Sequence, residues 1–318
     1  MNQEVSIGRR RAWSRALLAS VCMVAAGACV EEDRTGPSSD MNPAGTETAA
    51  AGGTGIVFAS SALTVSQINS VHTGLVETPT PSNILSFLSQ LRQKNGRVLL
   101  KLAGSESSYK NPDGTFNLTK WKAQVDRFRT VNLTPYITDG TIVGHYMVDE
   151  PHFKGRWGDK TIPGATLEEA AKHSKLRWPS MPTVVSAPAN YLASFPVTYV
   201  ALDAAWATYR AKTSDNPGTW LAQQVNRAKS KKLGLVAALN ILDGGDGSSG
   251  IRGTQPRTWA MSAAELKKYG TALLAQSYIC AFSMWRYDAA YYGRADVKTA
   301  MADLSAKAKS HARTSCRQ

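Results

Sequence analysis

The sequence lacks the short motifs that identify several large classes of enzymes. It contains no Gly-x-Ser-x-Gly elbow, no phosphate-binding loop and no zinc-protease helix motif, which argues against a serine hydrolase, an NTPase and a metalloprotease. It also has no internal repeat. A Gly-rich turn after the first predicted strand, the usual mark of the ligand site in a doubly wound open sheet, is missing as well.

Positive charge is abundant but dispersed. The chain has 37 Lys and Arg against 24 Asp and Glu, a formal net charge of +13. Such a surface could attract acidic polysaccharide, lipid headgroups or nucleic acid. The basic residues are spread over many predicted helices, however, with no arginine-rich block and no aromatic RNA-binding signature. We therefore expect a solvated basic surface and no nucleic acid partner.

The N-terminus has the pattern of an export signal. Arginines precede an apolar run over residues 16–28 that is too short to span a bilayer comfortably. The run ends on small residues directly before Cys29, which resembles a bacterial lipoprotein processing site. Residues 1–28 are therefore interpreted as a signal peptide, followed either by membrane attachment through a lipidated Cys29 or by plain secretion. Residues 29–55, rich in Gly, Ala, Ser and Thr, are typical of a disordered linker.

Two of the 4 cysteines belong to the region after this linker. Cys280 lies within an apolar predicted strand, and Cys316 is close to the C-terminus. Export permits a disulfide between them. The alternative is a buried thiol at Cys280 and a frayed tail residue at Cys316, and the sequence leaves both open.

From residue 56 onward, apolar segments alternate with amphipathic helices, the signature of an α/β fold with a parallel sheet. We predict strands at residues 56–59, 74–77, 97–103, 142–149, 183–187, 198–203, 234–240 and 278–285. A closed barrel needs about eight strands and typically about 250 residues. The sequence therefore predicts a single (β/α)8 TIM barrel over residues 56–318.

The predicted fourth strand ends on two adjacent carboxylates. Residues 142–148 are apolar apart from His145, as expected of a strand covered on both faces. Asp149 and Glu150 follow, and Pro151 cannot donate to a ladder, so pairing must end there. In barrels of this type, catalytic groups lie at the carboxyl ends of the strands. Asp149 and Glu150 are therefore the first candidates for catalysis.

The other predicted strand ends are rich in acids and aromatic rings. Candidate residues for substrate binding or catalysis, besides Asp149 and Glu150, are Lys101, Glu106, Tyr146, Asp203, Trp206, Asn240, Asp243, Trp285, Arg286 and Asp288. Hydrolysis of a sugar bond requires a carboxylic acid, a second carboxylate and flat apolar faces for the rings. The two tryptophans either pack in the core or form such faces. Asp243 and Asp288 could instead stabilise turns.

The tripeptide Asp149-Glu150-Pro151 resembles the end of the fourth strand in the glycoside hydrolase superfamily with (β/α)8 barrels, where Asn-Glu-Pro supplies the proton donor. The resemblance implies that Glu150 is the general acid/base and that Asp149 holds a sugar hydroxyl. The family's late-strand glutamate nucleophile has no counterpart here. Asp243, Asp203 and Asp288 are the candidates for the second carboxylate.

We therefore expect an exported glycoside hydrolase that acts on a polysaccharide or oligosaccharide without a metal or cofactor. The alternative is a surface lipoprotein that binds glycan through the same aromatic mouth and does not cleave it. For Glu150 itself, the alternative to catalysis is a carboxylate that Arg156, Lys101 or Arg286 neutralises to close the barrel mouth. A third hypothesis is an enzyme that forms a Schiff base through Lys101. A metal cluster of His145, Asp149 and His152 is disfavoured because no further ligand converges on it.

Overall fold

The computed structural model describes residues 55–312 and Cys316. The predicted signal peptide, Cys29 and the linker up to residue 54 lie outside the described residues. The strands form one closed parallel barrel in chain order, which confirms the predicted fold. They are β1 (Val57–Ser61), β2 (Gly74–Glu77), β3 (Arg97–Leu100), β4 (Ile142–Asp149), β5 (Thr183–Ser186), β6 (Ala204–Tyr209), β7 (Gly234–Asn240) and β8 (Ile279–Trp285).

Helices follow the strands and cover the outside of the barrel. Within residues 55–312 they are α1 (Ile84–Gln93), α2 (Leu118–Asp126), α3 (Thr134–Thr138), α4 (Gly164–Arg177), α5 (Ala189–Ala193), α6 (Pro217–Ser230), α7 (Ala263–Leu274), α8 (Ala289–Gly293) and α9 (Ala295–Ser310). Two starts match their capping signals: Asn216 accepts a hydrogen bond from Thr219 N–H, and Ser262 forms a capping box with Glu265. None of the described helices is long and apolar enough to cross a membrane.

The core has two layers, because each strand buries both faces. An outer layer packs between the sheet and the helices. A smaller layer fills the barrel interior, as expected for a barrel whose centre is a packed core and no pore. Its buried members are Val57, Ala59, Leu99, Tyr146, Val184, Ala204, Trp206, Val236, Ala238, Cys280, Ala281 and Cys316.

The prediction of the sixth strand was wrong. The strand spans Ala204–Tyr209, after the apolar segment 198–203. The backbone N–H groups of Val200, Ala201 and Leu202 donate to the buried Glu168 carboxylate at 3.0, 2.9 and 3.0 Å, so they are not available to a ladder. The sequence at 166–169 matches a capping box with Thr166 as the cap and Glu169 as its acid, but α4 already begins at Gly164. Glu168 faces this loop and holds it.

A disulfide joins Cys280 and Cys316. Cys280 is the second residue of β8, so the bond lies at the amino-terminal end of the barrel, and both residues are buried in the interior layer. Gly234, the first residue of β7, allows the backbone of Cys316 to pass: a Cβ at Gly234 would lie 2.8 Å from the Cys316 carbonyl oxygen. Cys316 thereby lies at the end of the barrel opposite the strand carboxyl ends.

Candidate active site

Two adjoining cavities open at the carboxyl ends of the strands. The larger cavity, about 680 Å³, is lined among others by Lys101, Tyr146, Asp149, Asn240 and Trp285. The smaller cavity, about 330 Å³, is lined among others by His152, Pro188 and Thr213. Residues lining both are Glu150, Phe153, Ser186, Trp206, Thr208 and Arg210. Glu150 therefore lies where the two cavities meet.

An irregularity in β4 directs Asp149 into the larger cavity. The pairing of β4 with β5 changes register between Tyr146 and Asp149. Tyr146 belongs to the interior layer, Met147 and Val148 pack in the outer layer, and Asp149 again faces the cavity. A bulge of this kind interrupts the strict alternation of side chains and can redirect one of them. It brings Tyr146 and Asp149 to the same side, where the Tyr146 hydroxyl donates to Asp149 Oδ1 at 2.5 Å.

Asp149 is held as an ionised carboxylate. Its Oδ2 lies 3.2 Å from an Arg156 guanidinium nitrogen and 3.7 Å from the Lys101 ammonium. Burial alone would raise the pKa of Asp149, but the positive charges of Lys101 and Arg156, with hydrogen bonds from Tyr146 and Ser186, lower it below its usual value. Lys101 also lies over the Tyr146 ring, 4.4 Å from its centroid, as a cationic neighbour of this pair.

The surroundings of Glu150 shift its pKa in the opposite direction. Burial and the neighbouring negative charge of Asp149 raise the pKa of Glu150, and the charges of Arg156 and Arg210 oppose this only in part. Its backbone has φ of +43°, a left-handed conformation that a residue with a Cβ rarely adopts. The surrounding structure fixes it: the Glu150 N–H donates to Ser186 O at 3.1 Å, and Trp157 Nε1 donates to Glu150 O at 3.0 Å.

Arg156 connects the acids of the site. Its guanidinium lies 2.7 Å from Glu150 Oε2 and 3.2 Å from Asp149 Oδ2, and its Nε lies 3.0 Å from Glu106 Oε1. Glu106 also pairs with Lys110 at 3.2 Å. Glu106 is therefore engaged in positioning Arg156. The Arg156 charge also lowers the pKa of Glu150, but by less than burial and Asp149 raise it.

Aromatic rings form the walls and the rim. Trp206 stacks on Tyr146 with their ring centroids 4.9 Å apart, so one face of the pair lies at the bottom of the larger cavity. Trp285 and Phe153 are 37% and 57% exposed on the rim, far more than the packed aromatic residues of the core. Exposed flat rings at a cavity mouth can stack on the apolar faces of sugars.

Asp243 lies in the larger cavity but organises a loop. Its carboxylate accepts hydrogen bonds from the Thr254 N–H and hydroxyl, both at 2.6 Å, from Gln255 N–H at 3.0 Å and from the Thr258 hydroxyl at 2.6 Å. Burial would raise the pKa of Asp243, but these hydrogen bonds lower it. Asn240 Oδ1 accepts from Asp243 N–H at 3.0 Å, which places both residues at the end of β7.

Asp288 and Arg286 do not line either cavity. Asp288 caps α8 by accepting a hydrogen bond from Tyr291 N–H at 2.8 Å, the turn role considered for it. Arg286 is exposed just beyond β8.

The placement of Asp203 at a strand's carboxyl end was wrong. Because β6 begins after it, Asp203 lies at the amino-terminal end of the barrel, away from both cavities. It is buried, its Oδ2 lies 2.5 Å from the Lys175 ammonium, and it accepts from Thr183 N–H at 2.7 Å. The structure gives it a role in joining α4, β5 and β6.

Asp203→Asn is expected to lower the free energy of unfolding by about 3 kcal/mol, because it removes the buried negative charge that lies 2.5 Å from the Lys175 ammonium. Denaturant unfolding measures this loss. The turnover per folded molecule should be unchanged, since the side chain touches neither cavity. A loss of turnover at normal stability would indicate that Asp203 takes part in catalysis.

The two histidines near the motif lie apart. His145 faces outward, stacks on Trp121 at 5.6 Å and hydrogen-bonds with the Ser174 hydroxyl at 2.8 Å, and burial lowers its pKa to about 3. Strict strand alternation would put His145 and Asp149 on one face of β4, but the bulge between Tyr146 and Asp149 separates them. No group of three or more His, Cys, Asp or Glu among the described residues could hold a metal ion.

Sequence reasoning missed four residues that line both cavities, Phe153, Ser186, Thr208 and Arg210. Arg210 and Thr208 belong to the end of β6 and were overlooked because that strand was misplaced. Phe153 lies two residues after Pro151, and no local signal marks its ring as exposed. A correct register for β6 would have pointed to Arg210.

The barrel is similar in fold to several solved structures. A xylanase 10B from Thermotoga petrophila in complex with xylobiose superposes with a TM-score of 0.51 at 11% identity over 80% of this chain and 94% of that chain. The chain has the barrel fold of that xylanase. The cellulose synthase subunit Z of Clostridioides difficile gives a TM-score of 0.51 at 10% identity, with coverage of 77% and 99%. A putative α-L-fucosidase from Bacteroides thetaiotaomicron gives 0.51 at 9%, with coverage of 86% and 99%.

No protein-family model and no curated protein matches the sequence. The resemblance to barrel glycosidases that the tripeptide at the end of β4 suggested is thus confirmed at the level of the fold.

Proposed function

We propose that the protein is an exported glycoside hydrolase in which Glu150 donates the proton to the leaving sugar oxygen. The observation that carries the proposal is the contrast between two adjacent carboxyl groups in one cavity. The pKa of Asp149 is lowered and that of Glu150 is raised. Carboxyl groups whose environments separate their pKa values in this way are suited to opposite roles in acid/base catalysis.

The position of Glu150 supports this role. It follows β4 at the end of the barrel where such folds place catalysis, and it is accessible from both cavities. A sugar chain that runs from one cavity into the other would pass Glu150 with one unit on each side. The stacked pair of Tyr146 and Trp206 and the exposed rings of Phe153 and Trp285 would contact these sugars.

Asp149 and Asp243 are the candidates for the second carboxylate. Both line the larger cavity with Glu150, and both have lowered pKa values, so each is an anion. The oxygens of Asp243 are occupied by the loop at 254–258, whereas Asp149 Oδ2 shares one Arg156 nitrogen with Glu150. We therefore assign Asp149 the larger share in stabilising positive charge on the sugar or in activating water.

A binding protein without catalysis is the second candidate. The hydrogen bonds that occupy Asp243 favour it, because they leave no free carboxylate across the cavity from Glu150. The aromatic rim would serve a binder equally well.

A screen of the purified protein against neutral and acidic polysaccharides separates the two functions. The hydrolase predicts new reducing ends from at least one glycan. Retention of a glycan in affinity electrophoresis with no reducing ends from any glycan would favour the binder. Neither release nor retention would refute both.

The activity is expected to fall with rising pH above the usual glutamic acid value of 4.5, because Glu150 must be protonated and its pKa is raised. The pH profile of kcat/KM measures this fall, which is the alkaline limb of the profile. In Arg156→Gln the limb should move to higher pH, since the Arg156 charge lowers the pKa of Glu150. Arg227→Gln, a change on the exposed face of α6, should leave it in place. A limb that stays fixed in Arg156→Gln would contradict the assignment of the acid.

Export and lipid attachment at Cys29 are part of the proposal. The disulfide between Cys280 and Cys316 supports export, since such bonds persist mainly in oxidising compartments.

A further inference from the structure

The backbone around Arg210 is fixed, although its side chain is exposed. Arg210 directly follows β6, its N–H donates to the Thr213 hydroxyl at 3.1 Å, and Thr213 N–H donates back to Arg210 O at 2.8 Å. Ala211 N–H donates to Gly244 O at 2.7 Å, which ties the turn to the loop after β7. Arg210 thus projects from a well-anchored turn and lines both cavities.

The guanidinium of Arg210 has no carboxylate partner among residues 55–312, in contrast to Arg156, which pairs with Glu106, Asp149 and Glu150. Glu150 is close enough for the Arg210 charge to influence its pKa but forms its ion pair with Arg156. An unpaired arginine beside a proton donor is a ready partner for an anionic group on a ligand, because its planar fork matches a carboxylate.

Besides Arg210, the smaller cavity presents several polar side chains and no acid apart from Glu150, between apolar walls of Phe153, Pro188 and Trp206. Thr208 and Thr213 offer hydroxyl groups, and His152 adds an imidazole. The buried Nδ1 of His152 has no hydrogen-bond partner within the described part of the chain. Burial lowers the pKa of His152, so the ring is a neutral hydrogen-bonding group. The cavity thus combines one free cation with several hydrogen-bonding groups.

We infer that the smaller cavity binds a uronic acid unit of an acidic glycan, with the sugar carboxylate on Arg210. This inference rests on the proposed function and names its substrate class. Bound there, the uronate lies beside Glu150, adjacent to the bond that is cleaved. The carboxylate accepts hydrogen bonds from the guanidinium, and the hydroxyl groups of Thr208 and Thr213 are available to the ring hydroxyls.

Carboxyl reduction provides a matched pair of substrates. Galacturonan, glucuronan and alginate are each offered in the acidic form and after chemical reduction of the carboxylates to alcohols, which preserves the linkages. The wild-type protein is expected to cleave one acidic polymer with a kcat/KM at least tenfold above that of its reduced form. Arg210→Gln should lose about tenfold on the acidic form, through a higher KM, and change little on the reduced form.

Arg227→Gln removes the same charge from the outside of the barrel and is the matched control, expected to cleave both forms like the wild type. Rates are compared on the acidic plateau of the pH profile, because loss of Arg210 also raises the pKa of Glu150. Equal losses on both forms, or cleavage restricted to neutral polymers, would overturn the inference and leave the hydrolase standing. Absence of cleavage and of binding for every glycan would refute the proposed function itself, and this inference with it.

Discussion

Glu150→Gln is expected to lower kcat by a factor of about 10² to 10⁴ on any glycan that the protein cleaves. Glutamine keeps the shape of the side chain and a carbonyl oxygen for Arg156, which now lies 2.7 Å from Glu150 Oε2. It cannot give up a proton to a leaving sugar. The release of reducing ends at saturating substrate measures the loss, and KM should change much less than kcat.

The control for this variant is Glu169→Gln. Glu169 is exposed on α4, pairs with Lys172 and lines neither cavity, so its loss of charge should leave turnover unchanged. Denaturant unfolding of Glu150→Gln should resemble that of the wild type. Normal turnover in a folded Glu150→Gln protein would exclude Glu150 as the proton donor.

The double variant Cys280→Ala with Cys316→Ala is expected to lower the free energy of unfolding by about 2–4 kcal/mol. The bond closes a loop with a sequence separation of 36 residues, and its removal frees the unfolded chain to adopt more conformations. Both residues are buried in the barrel interior, so the lost packing adds to the effect. Denaturant unfolding of the variant and of the wild type measures the difference.

The wild type in the presence of a reductant provides an independent comparison, since it loses the bond but keeps the sulfur atoms. It should lose most of the same stability. Activity under mild conditions should persist in both, because the disulfide lies at the opposite end of the barrel from Glu150. Identical unfolding of the wild type with and without reductant would contradict a structural disulfide.

The barrel could be predicted because most of its strands are marked by local sequence signals. β4 and β7 are apolar runs bounded by residues that end a strand, and both occur where the sequence placed them. β6 could not be located in this way. The apolar segment before it is held by Glu168, a residue more than thirty positions earlier in α4, so the competing structure depends on a tertiary contact.

In the candidate site, too, local sequence predicts some features, and others depend on tertiary contacts. Asp149 and Glu150 were found because the end of a strand and a following proline are local signals. Their different pKa values depend on Lys101 in another segment, on Arg156 in a loop and on a bulge that no residue pattern announces. The roles of Asp243 and Asp203 depend on the Thr254–Thr258 loop and on Lys175, which sequence spacing does not bring together.

The role of Glu150 is tested most directly by a crystal structure of Glu150→Gln bound to an oligosaccharide of the glycan that the wild type cleaves. We expect sugar units in both cavities and a glycosidic oxygen about 2.6–3.2 Å from the side chain of residue 150. A sugar bound on the rim with its linkages away from residue 150, or bound elsewhere on the barrel, would contradict it.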